Sequence, residues 1–99
     1  MSKSNTWLVY HNTDETTMFQ PDPELWKERD KHYHLVALVE ADSLEEVYRL
    51  TNHIDGDWRE NAVVKSMSPQ PPRSTSVGDV LVQNTTAWLV EHSGFRRIS

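Results

Sequence analysis

The last quarter of the chain constrains the fold most. Pro71-Pro72-Arg73-Ser74-Thr75-Ser76-Val77-Gly78-Asp79-Val80-Leu81-Val82 leads into Thr86-Ala87-Trp88-Leu89-Val90 and then Gly94-Phe95. Proline lacks a donor for a ladder, so the Pro69, Pro71 and Pro72 cluster predicts an extended surface loop. The Gly78-Asp79 step predicts a turn, and the apolar runs 77–82 and 87–91 predict strands. Between them, Gln83-Asn84-Thr85-Thr86 has hairpin spacing with a turn-forming Asn. A second turn at Gly94 opens a short third strand over 95–98. The segment therefore predicts a C-terminal β-meander.

Upstream, Thr6-Trp7-Leu8-Val9-Tyr10-His11 is β-branched and aromatic, and Asn12-Thr13-Asp14 closes it as a strand. Residues 15–31 are polar. Asp22 and Pro23 predict the start of a helix of about two turns through Arg29. His34-Leu35-Val36-Ala37-Leu38-Val39-Glu40 is almost continuously apolar, the pattern of a central strand buried on both faces. A helix is predicted at about 43–54. Ser43 and Glu46 offer a capping box, and Leu44, Val47, Tyr48, Thr51 and Ile54 form one apolar stripe. Asp55-Gly56-Asp57 predicts its end, and residues 62–67 predict a further strand. The fold expected is α+β: a small antiparallel or mixed sheet, one main helix and the meander, in a single domain spanning 1–99.

Ninety-nine residues suffice for one core, anchored by four Trp and three Tyr. With no cysteine, disulfides, thiolate metal sites and cysteine nucleophiles are excluded. The N-terminus lacks a signal-peptide pattern and no run is long enough to span a bilayer, so a soluble, cytoplasmic protein without membrane partners is expected. The net charge is −5. It divides as six Lys/Arg against thirteen Asp/Glu in residues 1–60, and four against two in 61–99. An acidic chain argues against non-specific nucleic-acid binding, while Lys65, Arg73, Arg96 and Arg97 leave a specific contact open.

Four groups of residues invite a chemical reading. Arg73, Ser74, Thr75 and Ser76 offer a guanidinium fork and three hydroxyls beside a glycine turn, which suits an anion, a nucleotide or a protein partner. Equally, such hydroxyls satisfy local backbone groups, with Asp79 accepting from its own turn. His11, His32 and His34 permit a metal hypothesis by spacing, yet hydrogen-bonded roles suit them better, and no metal or cofactor is expected. Ser76, His92 and Asp79 contain the residue types of a hydrolytic triad but lack a nucleophile elbow, so no catalytic residue is assigned. Trp58, flanked by charge, and Trp88 are candidate interface aromatics beside Trp26, with burial in the core as the competing reading.

The pattern Arg73-Ser74-Thr75-Ser76-Val77-Gly78-Asp79-Val80, with Trp88 and Gly94-Phe95 after a hairpin, resembles that of small YodL-like proteins. Tyr48-Arg49-Leu50-Thr51-Asn52, Trp58 and Asn61 resemble the upstream part of short proteins carrying the same box. The resemblance covers roughly residues 44–98. It implies a bacterial, plasmid or phage origin and an accessory role, and it transfers no activity. The function expected is a non-enzymatic interaction protein, with host regulation or defence as its setting. Its partner would be a protein bound through Arg73, Ser74, Thr75, Ser76 and Asp79 with Trp58 and Trp88. Anion or nucleotide binding or weak hydrolysis by the Arg73–Ser76 loop, and specific nucleic-acid binding, are the alternatives.

Overall fold

Six strands form one sheet in the computed structural model, which describes residues 5–51, 64–66 and 73–99. They are β1 (Thr6–Asn12), β2 (Tyr33–Glu40), β3 (Val64–Ser66), β4 (Val80–Gln83), β5 (Thr86–Glu91) and β6 (Gly94–Arg97). The spatial order is β3-β2-β1-β4-β5-β6, and every neighbouring pair is antiparallel. The fold is thus α+β with a C-terminal meander, as the turn residues indicate. Asn84 takes a left-handed φ of 56° in the β4–β5 turn, a conformation asparagine tolerates better than most residues.

Alternation along β1 sends Trp7 and Val9 to one face and Leu8 and Tyr10 to the other. The first face packs under α3 (Leu44–Leu50). Its core gathers Trp7, Val9, Ala37, Val39, Val47, Leu50, Leu81 and Val90, with Leu44, Tyr48, Trp88 and Phe95 around it. On the second face Trp26, Tyr33, Val80, Ala87 and Leu89 are buried together. Trp26 meets Tyr10 and Tyr33 edge-on, with ring centroids 5.1 and 5.2 Å apart, a favoured aromatic geometry.

Three expectations need correction. The helix predicted after Pro23 is two single turns, α1 (Glu24–Lys27) and α2 (Arg29–His32), broken at Glu28 with φ −114° and ψ 41°. Arg29 explains part of the break, since its guanidinium donates to the Trp26 carbonyl (3.0 Å). Second, β2 is interior but lies next to the three-residue edge strand β3. It is not buried on both faces: Leu35 and Leu38 stay half-buried. A register shift opposite Val9/Tyr10 lets Val36 join Ala37 on the α3 side, so the continuous run reflects a bulge as well as burial. Third, the capping box is half formed. Ser43 Oγ accepts from the Glu46 N–H (3.3 Å), while the Glu46 carboxylate turns to Arg49 (3.4 Å). Helix α3 ends at Leu50 with Thr51 as its C-cap. The expected Ile54, the Asp55-Gly56-Asp57 stop, Ala62, Val63, Met67 and the proline loop lie outside the described residues.

Candidate functional site

The Arg73–Asp79 segment closes on itself and on β1. Ser76 and Asp79 bracket a tight turn in which the Asp79 N–H donates to the Ser76 carbonyl (3.0 Å). Gly78 there has φ +92°, as the third position of a type II turn requires. It also has no room for a side chain: a Cβ would lie 2.9 Å from the Gln20 carbonyl oxygen and 3.0 Å from its nitrogen. Glycine is demanded twice, by backbone angle and by the close passage of another loop.

Asp79 is fully buried, and its carboxylate accepts four hydrogen bonds. Oδ1 receives the Asn12 N–H (3.0 Å) and Arg73 Nη2 (2.7 Å), and Oδ2 receives the Ser76 N–H (2.8 Å) and Arg73 Nη1 (2.6 Å). Arg73 also donates to the backbone carbonyls of Asn12 (3.0 Å) and Ser74 (3.0 Å). A buried charge is tolerable when it is paired and its lone pairs are filled, as here. Thr75, also fully buried, donates its N–H to the Thr51 carbonyl at the end of α3 (2.9 Å). Its hydroxyl oxygen lies 2.9 Å from His11 Nε2. Ser76 Oγ donates to the Ser74 carbonyl (3.1 Å). The segment is a polar clasp joining the end of β1, the C-terminus of α3 and the start of β4.

Burial governs the titration of the clasp. His11 is 3% exposed, and desolvation pulls its pKa from 6.5 down to about 4, with Arg73 adding to the effect and Asp79 opposing it. Its Nε2 lies 3.9 Å from Asp79 Oδ2, yet the imidazole is neutral at pH 7, so this contact is not an ion pair. Tyr33 sits just below, its hydroxyl donating to the Gly78 carbonyl (2.7 Å). Burial, then the Asp79 charge, pushes that phenol up to about 12.

The residues singled out from the sequence therefore divide. Arg73, Ser74, Ser76 and Asp79 do come together as hydrogen-bond partners, Ser74 through its backbone carbonyl, while Thr75 is tied instead to His11 and to the Thr51 carbonyl. Trp88 is half-buried against the α3-side core, and Trp58 lies outside the described residues. None of Asp79's hydrogen bonds comes from His92, which is exposed in the β5–β6 turn. The three histidines have separate partners: His11 meets Thr75, His34 meets Thr13 (2.7 Å), and His32 meets Asp14 (2.7 Å). Among the described residues, no group of three or more His, Asp or Glu could hold a metal ion.

Phe19 is the residue that sequence reasoning missed. It is 50% exposed, the exposed large hydrophobic residue among those described. Its φ is +69°, in the left-handed region that a bulky side chain rarely enters. The Arg73 guanidinium carbon lies 5.0 Å from the centre of its ring. An aromatic inside the polar stretch 15–31, ahead of the short helix that carries Trp26, was the available signal. Comparison with protein-family models, with curated proteins and with solved structures gave no match. Among the described residues no helix is long and apolar enough to cross a membrane.

Proposed function

We propose that this chain is a non-enzymatic interaction protein that docks a protein partner on the surface where Phe19 covers Arg73. A cytoplasmic setting and the bacterial, plasmid or phage accessory role implied by the C-terminal pattern belong to the same reading. The observation that carries it is Phe19 itself. A bulky residue in the left-handed region costs on the order of 1–3 kcal/mol and persists only where its surroundings impose it. Here the strain displays an aromatic ring to solvent, fixed beside a guanidinium. Exposed aromatics held rigid in this way lose little entropy on binding and make good anchors.

The clasp supports this choice over the alternatives. Arg73 is committed to Asp79 and to backbone carbonyls, so gripping an anion means giving up a buried carboxylate. Arg96 and Arg97 are successive strand residues, which places them on opposite faces of the sheet. Arg96 approaches Glu91 (3.8 Å) and Arg97 Nε donates to the Ser99 carbonyl (3.0 Å), an arrangement that disfavours a single basic face.

Phe19→Gly tests the reading, because glycine relieves the backbone strain while deleting the ring. Its stability should stay within about 1 kcal/mol of the parent, as relief of left-handed strain offsets the lost cation–π contact. Affinity capture from the source cells, quantified against the parent, should lose the specific partner. Equal recovery of that partner by Phe19→Gly overturns the proposal, and so does the absence of any specific partner for the parent.

A further inference from the structure

On the face of the sheet away from α3, cross-strand pairing sets Leu38, Leu8, Val82 and Ala87 in one row. Leu38, Leu8 and Val82 are only half-buried there. Between this row and α1 lies a groove of ≈530 Å³, within the range of roughly 300–1,000 Å³ usual for small-molecule sites. Leu8, Val82, Ala87 and Ile98 line its aliphatic part, and Tyr10 and Trp26 supply aromatic edges. The remaining lining is polar: Asn84, Thr85 and Ser99, with Lys27 and Arg29.

In a chain of net charge −5, the charged side chains on this groove, Lys27 and Arg29, are both cations, and no Asp or Glu side chain lines it. Arg29 is exposed. Its guanidinium stacks 5.0 Å from the Trp26 ring centre and donates one hydrogen bond, to the Trp26 carbonyl. That leaves the fork positioned by the aromatic it stacks on, with N–H groups to spare for an incoming oxyanion. Lys27 pairs with Glu24 at 2.7 Å, but both side chains are more than two-thirds exposed, so the pair is weak and readily exchanged. The Ser99 carbonyl oxygen is taken by Arg97.

We propose that this groove binds a small aryl carboxylate, its flat ring lying on the Leu8–Val82–Ala87 row beside Trp26 and its carboxylate meeting Arg29 and Lys27. Charge complementarity selects the anion, and the aromatic wall with the aliphatic floor selects the ring. The site is separate from the Phe19 surface, and either can fail without the other.

The test uses the full chain and three probes of one shape: 2-naphthoate, 2-naphthamide and 2-naphthylmethylammonium. Titration is followed by the methyl resonances of Leu8, Val82, Ala87 and Ile98 and by the Trp26 indole N–H. The anion should shift these signals saturably, with the amide binding roughly tenfold more weakly through loss of the charge-assisted hydrogen bonds and the cation not at all. Lys27→Gln combined with Arg29→Gln should erase the preference for the anion. Val82→Phe, which keeps both cations but fills the groove, should abolish binding of all three. Equal affinity for the three probes, shifts confined to other residues, or no saturable shift overturns the proposal. So does a concentration-dependent dimer, detected by sedimentation, that covers the same methyls and excludes the probe.

Discussion

At the scale of single residues, the decisive quantity is the cost of an unpaired buried charge. Arg73→Met leaves the Asp79 carboxylate with its two backbone donors and no counter-charge. Breaking a buried pair by removing one partner costs on the order of 3–5 kcal/mol; since Arg73 is 27% exposed, the lower end is expected. Asp79→Leu removes the other member, and the double variant should cost clearly less than the two single losses combined. Urea unfolding of all four proteins measures that coupling, and additive losses would show that the pair is not acting as a unit. Gly78→Ala belongs beside them. A positive φ and a backbone oxygen 2.9 Å from the new Cβ together should cost about 2 kcal/mol or more. Arg73, Thr75, Gly78 and Asp79 thus each meet a separate structural demand within the box. They also show why a functional loop and a structural clasp look alike before folding, since clustered donors and acceptors serve both, and only burial tells them apart.

At the scale of elements, local chemistry was legible and its partners were not. Ser43 caps α3 as its position indicates, but Glu46 follows the charge of Arg49 rather than the cap backbone. Ser43→Ala should therefore cost about 0.5–1 kcal/mol, and Glu46→Ala less than about 0.5 kcal/mol, because an exposed i,i+3 pair contributes little. Denaturant midpoints would decide this; a larger loss for Glu46 than for Ser43 would mean that the reciprocal cap forms in solution. The run His34–Glu40 teaches the opposite lesson. Its apolar content marked an interior strand correctly. What it hid was the register shift at Val36, which depends on pairing with β1 and has no local signature. The break at Glu28 is similar, because it is tied to the contact of Arg29 with Trp26.

At the scale of the whole molecule, the antiparallel join of β1 to β4 ties the N-terminal strands to the meander, and no periodicity in the chain announces it. The clasp sits at that join, at the end of β1 and just ahead of β4, so its protonation bears on global stability. His11 faces Thr75, Asp79 and Arg73, and in the folded state its pKa is about 4 against 6.5 ordinarily. The folded protein thus resists a proton that the unfolded chain accepts. Below pH 6.5 the unfolded state binds more protons, so stability falls as pH falls, and the loss levels off near pH 4. A shift of this size corresponds to about 3 kcal/mol in total. A second, lower window belongs to Asp14. The Thr16 hydroxyl, then the Thr16 N–H and His32, hold its carboxyl at about 2. Its contribution is present above the usual carboxylate range and disappears as pH falls toward 2. His11→Gln removes the titrating group while keeping a polar partner for Thr75, so it should flatten the dependence between pH 6.5 and 4 and leave the Asp14 window below it intact. Urea unfolding at pH 7.5, 5.5 and 4.0 distinguishes the outcomes: parallel curves for parent and variant would mean that the clasp does not shift the His11 pKa from its unfolded value, whereas convergence toward low pH identifies it as the group that loosens the join.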